Sequence, residues 1–264
     1  MFAIFLVTGL LSGFLAGLLG VGGGIVNVPA LDYAFSGTPH SIHSAVATSL
    51  AVISFTSFLS LRIHNRKQAV RWDVFRSITP GILAGTFAGS QIAIHLPSHL
   101  LRICFALFAM AAATRMFHGP SMRASGRAPG PVGMTAAGIL IGAVSALVGI
   151  GGGSLTVPFL SWCGLPMIEA IGTSAAVGFP ISFAATLQYA AQDFGVSSLK
   201  ELHLGLIHLP ALALIVCGSL ISVPFGARLA HRLPVPLLRR IFAILLALVG
   251  AKMLLSSVTL PSFS

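Results

Sequence analysis

A glycine-rich motif occurs twice in this chain, with its two copies 129 residues apart. The first copy reads Gly20-Val-Gly-Gly-Gly-Ile-Val-Asn-Val-Pro29, and the second reads Gly149-Ile-Gly-Gly-Gly-Ser-Leu-Thr-Val-Pro158. Consecutive glycines followed by a proline interrupt an apolar helix, because glycine weakens the helix and proline removes a backbone donor. The doubled motif therefore predicts an internally duplicated membrane protein. It also places a broken helix in each half, the pattern that marks substrate sites in transporters built from repeats.

The composition assigns the chain to the membrane. Of its 264 residues 56% are hydrophobic and 8% are charged, whereas soluble domains carry about 25% charged residues. Two apolar windows, about 24–36 and 153–164, reach only ~20 Å as helices, short of the ~30 Å hydrocarbon core. We therefore expect half-helices or re-entrant segments there. The windows long enough to span are residues 2–20, 41–61, 74–95, 99–117, 132–149, 168–190, 204–225 and 236–258.

The duplication extends beyond the glycine motif. Ala45-Val-Ala-Thr-Ser49 matches Ala170-Ile-Gly-Thr-Ser174, and Leu96-Pro-Ser-His-Leu-Leu-Arg102 matches Leu233-Pro-Val-Pro-Leu-Leu-Arg239. The sequence thus predicts an all-α polytopic membrane protein with two homologous halves, each of four long helices and one short broken segment. The domains are a first membrane repeat (1–118), a basic cytoplasmic linker (119–131) and a second membrane repeat (132–264). Residues 2–20 are interpreted as a retained first helix, since they lack a signal-peptide pattern.

Charges in matching loops predict the orientation of the two halves. Residues 62–76 carry five arginines and lysines, whereas the aligned segment 192–203 carries both signs. The other matched pair shows the reverse bias, with arginines concentrated in 228–240 rather than in 94–102. Basic loops face the cytoplasm, so matching loops lie on opposite sides, as inverted-topology repeats require. The linker is then inside and both termini are outside. The alternative, eight simple helices in parallel repeats, leaves one large basic cluster outside.

These motifs together resemble the sulfite exporter TauE/SafE family. The resemblance rests on the two glycine motifs, the Thr-Ser stretch after each, and the two Leu-Pro-x-x-Leu-Leu-Arg turns, and it covers residues 8–255. It implies an integral membrane protein that moves sulfite, organosulfonates and related small anions, often outward and sometimes inward. The ligand itself, the direction and the coupling ion do not follow from the resemblance.

The chemistry of the broken helices also fits an anion. A helix that restarts inside the membrane presents unpaired N–H groups and about half a positive charge, which bind oxyanions without a side-chain cation. Hydroxyls and amides nearby add donors, although Thr/Ser pairs in membrane helices also bond to the preceding turn. Runs such as Gly81-x3-Gly85-x3-Gly89 indicate close helix packing instead. The predicted substrate-binding residues are Gly22, Gly23, Gly24, Asn27, Thr48, Ser49, Gly151, Gly152, Gly153, Ser154, Thr156, Thr173 and Ser174.

Other chemistry lacks a signature. The glycine runs have no Gly-Lys-Ser/Thr ending, and the chain has no His-Glu-x-x-His or Gly-x-Ser-x-Gly motif, so we expect no catalytic residue, metal or cofactor. The net charge of +10 is assigned to anionic lipid rather than to nucleic acid. The interpretation is a secondary transporter of a small anion in the cytoplasmic membrane, working by alternating access. The expected driving force is either an ion gradient, with a proton or sodium as coupling ion, or the substrate's own gradient, and a second copy of the chain is a candidate partner in a homo-oligomer. The alternative is a non-transporting membrane subunit or a membrane enzyme.

Overall fold

Helices dominate the described part of the chain. The computed structural model describes residues 2–19, 22–38, 40–118, 129–192, 202–229, 243–244 and 246–255. The helices of the first half are α1 Phe2–Leu19, α2 Gly24–Ala34, α3 Ser41–Arg66, α4 Trp72–His95 and α5 Ser98–His118. Those of the second half are α6 Pro131–Val148, α7 Gly153–Trp162, α8 Met167–Ala190, α9 Leu209–Leu229 and α10 Leu246–Leu255. Among them α3, α6, α8 and α9 are long and apolar enough to cross a bilayer.

The element lengths confirm an all-α membrane protein, including the two short segments. The helices α2 and α7 have 11 and 10 residues, and each starts directly after a glycine break. Most of the linker (119–128) and parts of the two polar spacers (193–201 and 230–242) lie outside the described residues, so the predicted cytoplasmic placement of the linker stays a prediction.

One predicted window is wrong at its start. The window 204–225 begins in a small antiparallel hairpin of β1 His203–Leu204 and β2 Ile207–His208, and α9 starts only at Leu209. Positive φ angles at Leu202 and Gly205 turn the chain here. An apolar run by itself does not distinguish a short strand from the first turn of a helix. The hydropathy pattern therefore assigned the hairpin and α9 to one helical window.

Glycines bring the helices of opposite halves into backbone contact. α1 packs along α9 and α6 packs along α4, and a Cβ atom on these glycines would overlap the partner backbone. Residue numbers rise together along both partners, so each pair runs parallel. The glycine run in α4 therefore serves packing, as its spacing predicts. The facing pairs are Gly9 with Ile215, Gly13 with Ser219, Gly17 with Val223, Gly81 with Thr135, Gly85 with Ile139, and Gly89 with Ala143.

The two central helices, α3 and α8, pack against each other in opposite directions. The hydroxyl of Ser54 lies 3.5 Å from that of Thr186, and the ring centroids of Phe58 and Phe179 are 5.5 Å apart. Residue numbers thus increase along α3 as they decrease along α8, so the two helices are antiparallel. Because α3 and α8 carry the matching Thr-Ser stretches, corresponding helices of the two halves are antiparallel at their contact.

Candidate functional site

The two glycine motifs meet in the interior of the bundle. A Cβ atom on Gly22 would lie 3.2 Å from the Cα atom of Gly151, and one on Gly24 would overlap the carbonyl oxygen of Gly149. Ile53 of α3 packs over both runs. We call this contact the glycine crossing (residues 22–24 and 149–153). The two breaks therefore converge, as the sequence predicts.

Backbone geometry explains why glycine is needed at the crossing. Gly23 and Gly152 precede the two short helices with φ of 70° and 64°, a left-handed conformation that costs other residues roughly 1–2 kcal/mol. The carbonyl of Gly23 then accepts the first helical bonds from Val26 and Asn27, and that of Gly152 accepts them from the corresponding residues of α7. Both helices thus begin at the crossing, with their N-terminal ends facing it.

Asn27 and Thr156 stand at equivalent positions in the first turns of α2 and α7, and both are fully buried. Neither the Asn27 amide nor the Thr156 hydroxyl has a hydrogen-bond partner within the described residues. The Thr156 Oγ1 atom lies 3.6 Å from the Cβ position of Gly152, so it points back towards the start of its own helix. Buried polar groups without partners are rare in proteins, so both side chains are suited to a ligand.

Ser145 is a residue that the sequence reasoning missed. Its hydroxyl lies 3.7 Å from the Cβ position of Gly152, is buried, and lacks a partner in the described part of the chain. The Ser154 hydroxyl, which was predicted, is likewise buried without a partner there. Ser145 aligns with Ala16 of the first half, so the repeat gave no signal. The sequence feature that could have identified Ser145 is a single serine in the last turns of the apolar helix α6.

The serines of the two Thr-Ser stretches differ in their hydrogen bonding. Ser49 donates a hydrogen bond of 3.0 Å to the carbonyl oxygen of Gly149, and so fixes the end of α6 against α3. Its counterpart Ser174 is fully buried, and its hydroxyl has no partner among the described residues. Ser49 therefore supports the crossing from outside, whereas Ser174 has a free hydroxyl to offer.

The threonines of the same stretches join the halves. The Thr173 Oγ1 atom accepts a bond of 3.0 Å from the backbone N–H of Arg71, and the Thr48 Oγ1 atom accepts one of 3.1 Å from that of His208. Each bond ties the start of α4 or α9 to the central helix of the other half. Each hydroxyl keeps its own proton, so their role as ligand donors stays a prediction.

Two arginines near helix ends, Arg71 and Arg102, form ion pairs with carboxylates. Arg102 binds both carboxylate oxygens of Asp32 at 3.0 Å. Arg71 binds Asp73 and Glu169, and these carboxylates, first of all Asp73, hold the pKa of Arg71 above its ordinary value. Among the described residues, the side chains that meet the crossing are apolar or neutral polar groups. A positive potential at the crossing would come from the helix ends.

A narrow cleft lies beside the crossing. It borders Gly22, between α1, α3 and α8, and is too narrow to admit a water molecule. Along α3 it is lined by Thr56, Ser57 and Ser60, which follow the helix towards the turn before α4. The aligned positions on α8 are Ile181, Ser182 and Ala185, so only the α3 side carries a full row of hydroxyls.

Comparisons with known proteins agree on one family. The sulfite exporter TauE/SafE family matches residues 5–253. A probable membrane transporter protein of Haemophilus influenzae is 33% identical over 95% of this chain and 97% of its own length. Similar proteins of Methanocaldococcus jannaschii and Bacillus subtilis, both also named probable membrane transporter proteins, are 26% identical over 96% of the chain. No solved structure matches the chain.

Proposed function

The chain belongs to the sulfite exporter TauE/SafE family, a family of membrane transporters, and on that premise we propose that it is a secondary transporter of a small anion. The substrate is sulfite, an organosulfonate or a related sulfur or carboxylate anion, bound at the glycine crossing and moved across the cytoplasmic membrane. The observation that carries this proposal is the meeting of two helix N-termini beside buried polar side chains without partners.

The energetics favour an anion at this point. Two helix starts supply positive potential, and an anion at a helix N-terminus needs no arginine or lysine. At the start of α7 the N–H groups of Gly152 and Gly153 already donate to the carbonyls of Ile150 and Gly151, so the potential rather than these two donors favours the anion. The Asn27 amide and the Thr156 hydroxyl are buried without partners in the part of the chain that the structure describes, and leaving such groups unpaired costs about 1–3 kcal/mol each. A bound oxyanion removes part of that cost on both sides of the crossing.

Inverted topology is part of the proposal. The antiparallel packing of α3 and α8 supports it, because equivalent helices of parallel repeats point the same way. The basic turn of residues 66–71 at the end of α3 is then cytoplasmic by the positive-inside rule. Both short helices are re-entrant and return to the side from which α1 or α6 started. The substrate thus lies between two halves whose relative movement opens the site to each side of the membrane in turn, as alternating access requires.

The hydroxyls of α3 mark the cytoplasmic path of the substrate. They extend from the crossing towards the basic turn, which is the cytoplasmic side in this topology, and in this structure the space beside them is too narrow for water. On α8 the equivalent direction is closed by Tyr189, which is fully buried with its hydroxyl 3.4 Å from the carbonyl oxygen of Ala146. We assign Tyr189 to the external gate. A proton or sodium gradient, or the substrate's own gradient, drives transport.

Transport by the purified protein in liposomes tests the proposal. Labelled sulfite and a labelled taurine-like sulfonate are offered to protein-containing and protein-free vesicles. We expect uptake that depends on the protein. The absence of uptake of either anion in both directions would contradict a transporter for these anions and favour a non-transporting subunit.

Two variants locate the site. Asn27→Leu combined with Thr156→Val removes polar groups from both helices, and we expect affinity to fall about ten-fold or more, as the loss of buried partners implies. Arg115→Gln, an exposed position on α5, serves as the comparison and should change affinity only modestly. Thr135→Val is the matched control, since its hydroxyl bonds only within α6. Lost binding in Arg115→Gln with intact binding in the double variant would refute the site.

A further inference from the structure

We infer that the glycine crossing selects a singly charged anion that carries its own O–H or N–H donor, such as a singly protonated oxyacid. Dianions and donor-free anions are disfavoured. The inference rests on the proposed function, because it takes the crossing as the binding site, and it narrows the substrate class by charge and by hydrogen-bonding pattern. Two arguments lead to it: the positive charge expected of two helix starts at the crossing, and the Asn27 amide, which is buried without a partner among the described residues.

The charge at the crossing matches one negative charge. Each helix N-terminus contributes about half an elementary charge, so the starts of α2 and α7 together offer about one. Two of the described arginines near helix ends, Arg71 and Arg102, are bound to carboxylates, and the side chains described in contact with the crossing glycines carry no charge. A dianion would bring a second charge that nothing at the crossing compensates, and an uncompensated charge is costly away from water. The site therefore fits a monoanion.

The amide of Asn27 requires a donor as well as an acceptor. Both its Oδ1 and its Nδ2 atoms are buried without partners in the described structure. This holds whichever way the two ends of the amide are assigned, since one end always donates and the other only accepts. The NH₂ group suits an oxyanion oxygen. The carbonyl oxygen is satisfied only by a ligand that brings a hydrogen.

The second half of the site does not impose the same requirement. Thr156 stands where the first half has Asn27, and Ser145 lies beside it. Hydroxyls rotate and either donate or accept, so these residues adapt to any oxyanion. The two halves of the crossing therefore recognise different features of the ligand. The hydroxyls bind the anionic oxygens, and Asn27 distinguishes ligands with a hydrogen-bond donor from ligands without one. Asn27 is the specificity-determining residue of this inference.

Two sulfonates of matched size test the donor requirement. 2-Hydroxyethanesulfonate and 1-propanesulfonate both carry one fixed negative charge at neutral pH, and they differ by a hydroxyl in place of a methyl group. Each competes against labelled sulfite uptake into liposomes containing the wild-type protein. We expect the hydroxylated compound to reach half-inhibition at about ten-fold lower concentration, the size of effect that one buried unpaired acceptor produces. Equal potency overturns the inference without any variant.

Variants assign the preference to the amide. Asn27→Leu removes the acceptor, so the ratio of the two half-inhibition concentrations should fall to about one. Asn27→Ala provides a second, smaller replacement with the same expected ratio. The Thr135→Val control should keep the wild-type ratio. A ratio that survives in both Asn27 variants assigns the preference to another residue and overturns the role of Asn27.

The pH dependence of uptake tests the charge requirement. Sulfite uptake should follow the singly protonated fraction of the substrate and fall as pH rises and the dianion takes over. Uptake of 2-hydroxyethanesulfonate, whose charge is fixed, should stay level over the same range, and it corrects for any titration of the protein. Sulfite uptake that rises with the dianion fraction contradicts the inference.

The outcomes separate this inference from the proposed function. Transport of sulfite with no donor preference and no pH dependence leaves the transporter intact and removes only the narrower claim. If sulfite is transported but neither sulfonate competes, the pH series alone decides the charge requirement, and the donor requirement is rejected for sulfonates. If neither sulfite nor a sulfonate moves, the proposed function fails and takes this inference with it.

Discussion

Replacing Gly23 by alanine tests whether the first glycine break must approach α1 closely. The residue has φ of +70°, and a Cβ atom would lie 2.9 Å from the carbonyl oxygen of Ser12. Gly37 provides a matched control, because its φ is +94° and a Cβ atom there would meet nothing within 4 Å. Both substitutions thus force alanine into the left-handed region, but only Gly23→Ala also presses on the backbone of a neighbouring helix.

The structure gives different magnitudes for the two variants. A left-handed backbone costs a residue other than glycine about 1–2 kcal/mol, which is the whole effect expected for Gly37→Ala. Overpacking against a rigid neighbour adds about 1–3 kcal/mol, so Gly23→Ala should lose about 2–5 kcal/mol in total. Transport should fall strongly in Gly23→Ala, because relief of the contact moves α1 relative to the start of α2. In Gly37→Ala it should stay near the wild-type rate.

Thermal unfolding in detergent and sulfite flux in liposomes measure the two effects on the same preparations. Equal losses of stability in both variants would show that the approach to Ser12 contributes nothing. Normal flux in Gly23→Ala, together with the expected loss of stability, would show that the break is structural and does not hold the substrate. Gly23→Val should abolish flux for the same physical reason, with a larger loss of stability.

Three further predictions concern the frame around the site. A single cysteine at Lys67, in a background without the native cysteines, should be protected from an impermeant maleimide in intact cells, whereas one at Ser197 should be labelled; equal labelling contradicts inverted topology. Thr48→Val and Thr173→Val should each destabilise the protein by about 1–3 kcal/mol, because each leaves a backbone N–H unpaired. Their effects should add within about 0.5 kcal/mol if the two bonds act independently, and urea titration of both singles and the double variant would expose any stronger coupling. Gly85→Ala places a Cβ atom against the carbonyl of Ile139 and should lower expression while leaving residual flux; complete loss of flux in well-folded protein would assign α4 a direct part in transport.

Much of the glycine crossing followed from the sequence because its causes are local. Left-handed glycines interrupt a helix locally, so the starts of α2 at Gly24 and α7 at Gly153 were predictable to within a residue, whereas Pro29 and Pro158 lie inside these helices and end neither. The duplication then gave the equivalence of Asn27 and Thr156. The same local reasoning failed at the hairpin before α9, since Leu202 to His208 are apolar enough to continue a helix pattern and only the backbone turn at Gly205 separates them.

The sequence by itself determined the class of protein, the two repeats and the two points where helices restart, because hydrophobicity, glycine and proline act on their own stretch of chain. The partners of the polar side chains depended on residues far away. Thr173 receives a bond from Arg71, 102 positions distant, and Thr48 receives one from His208, 160 positions distant. Ser49 is engaged with Gly149, while Asn27, Ser145 and Thr156 lack partners in the described structure. Which hydroxyls are occupied and which remain for a ligand was decided only when the packing of α3 against α8 brought the two glycine runs into contact.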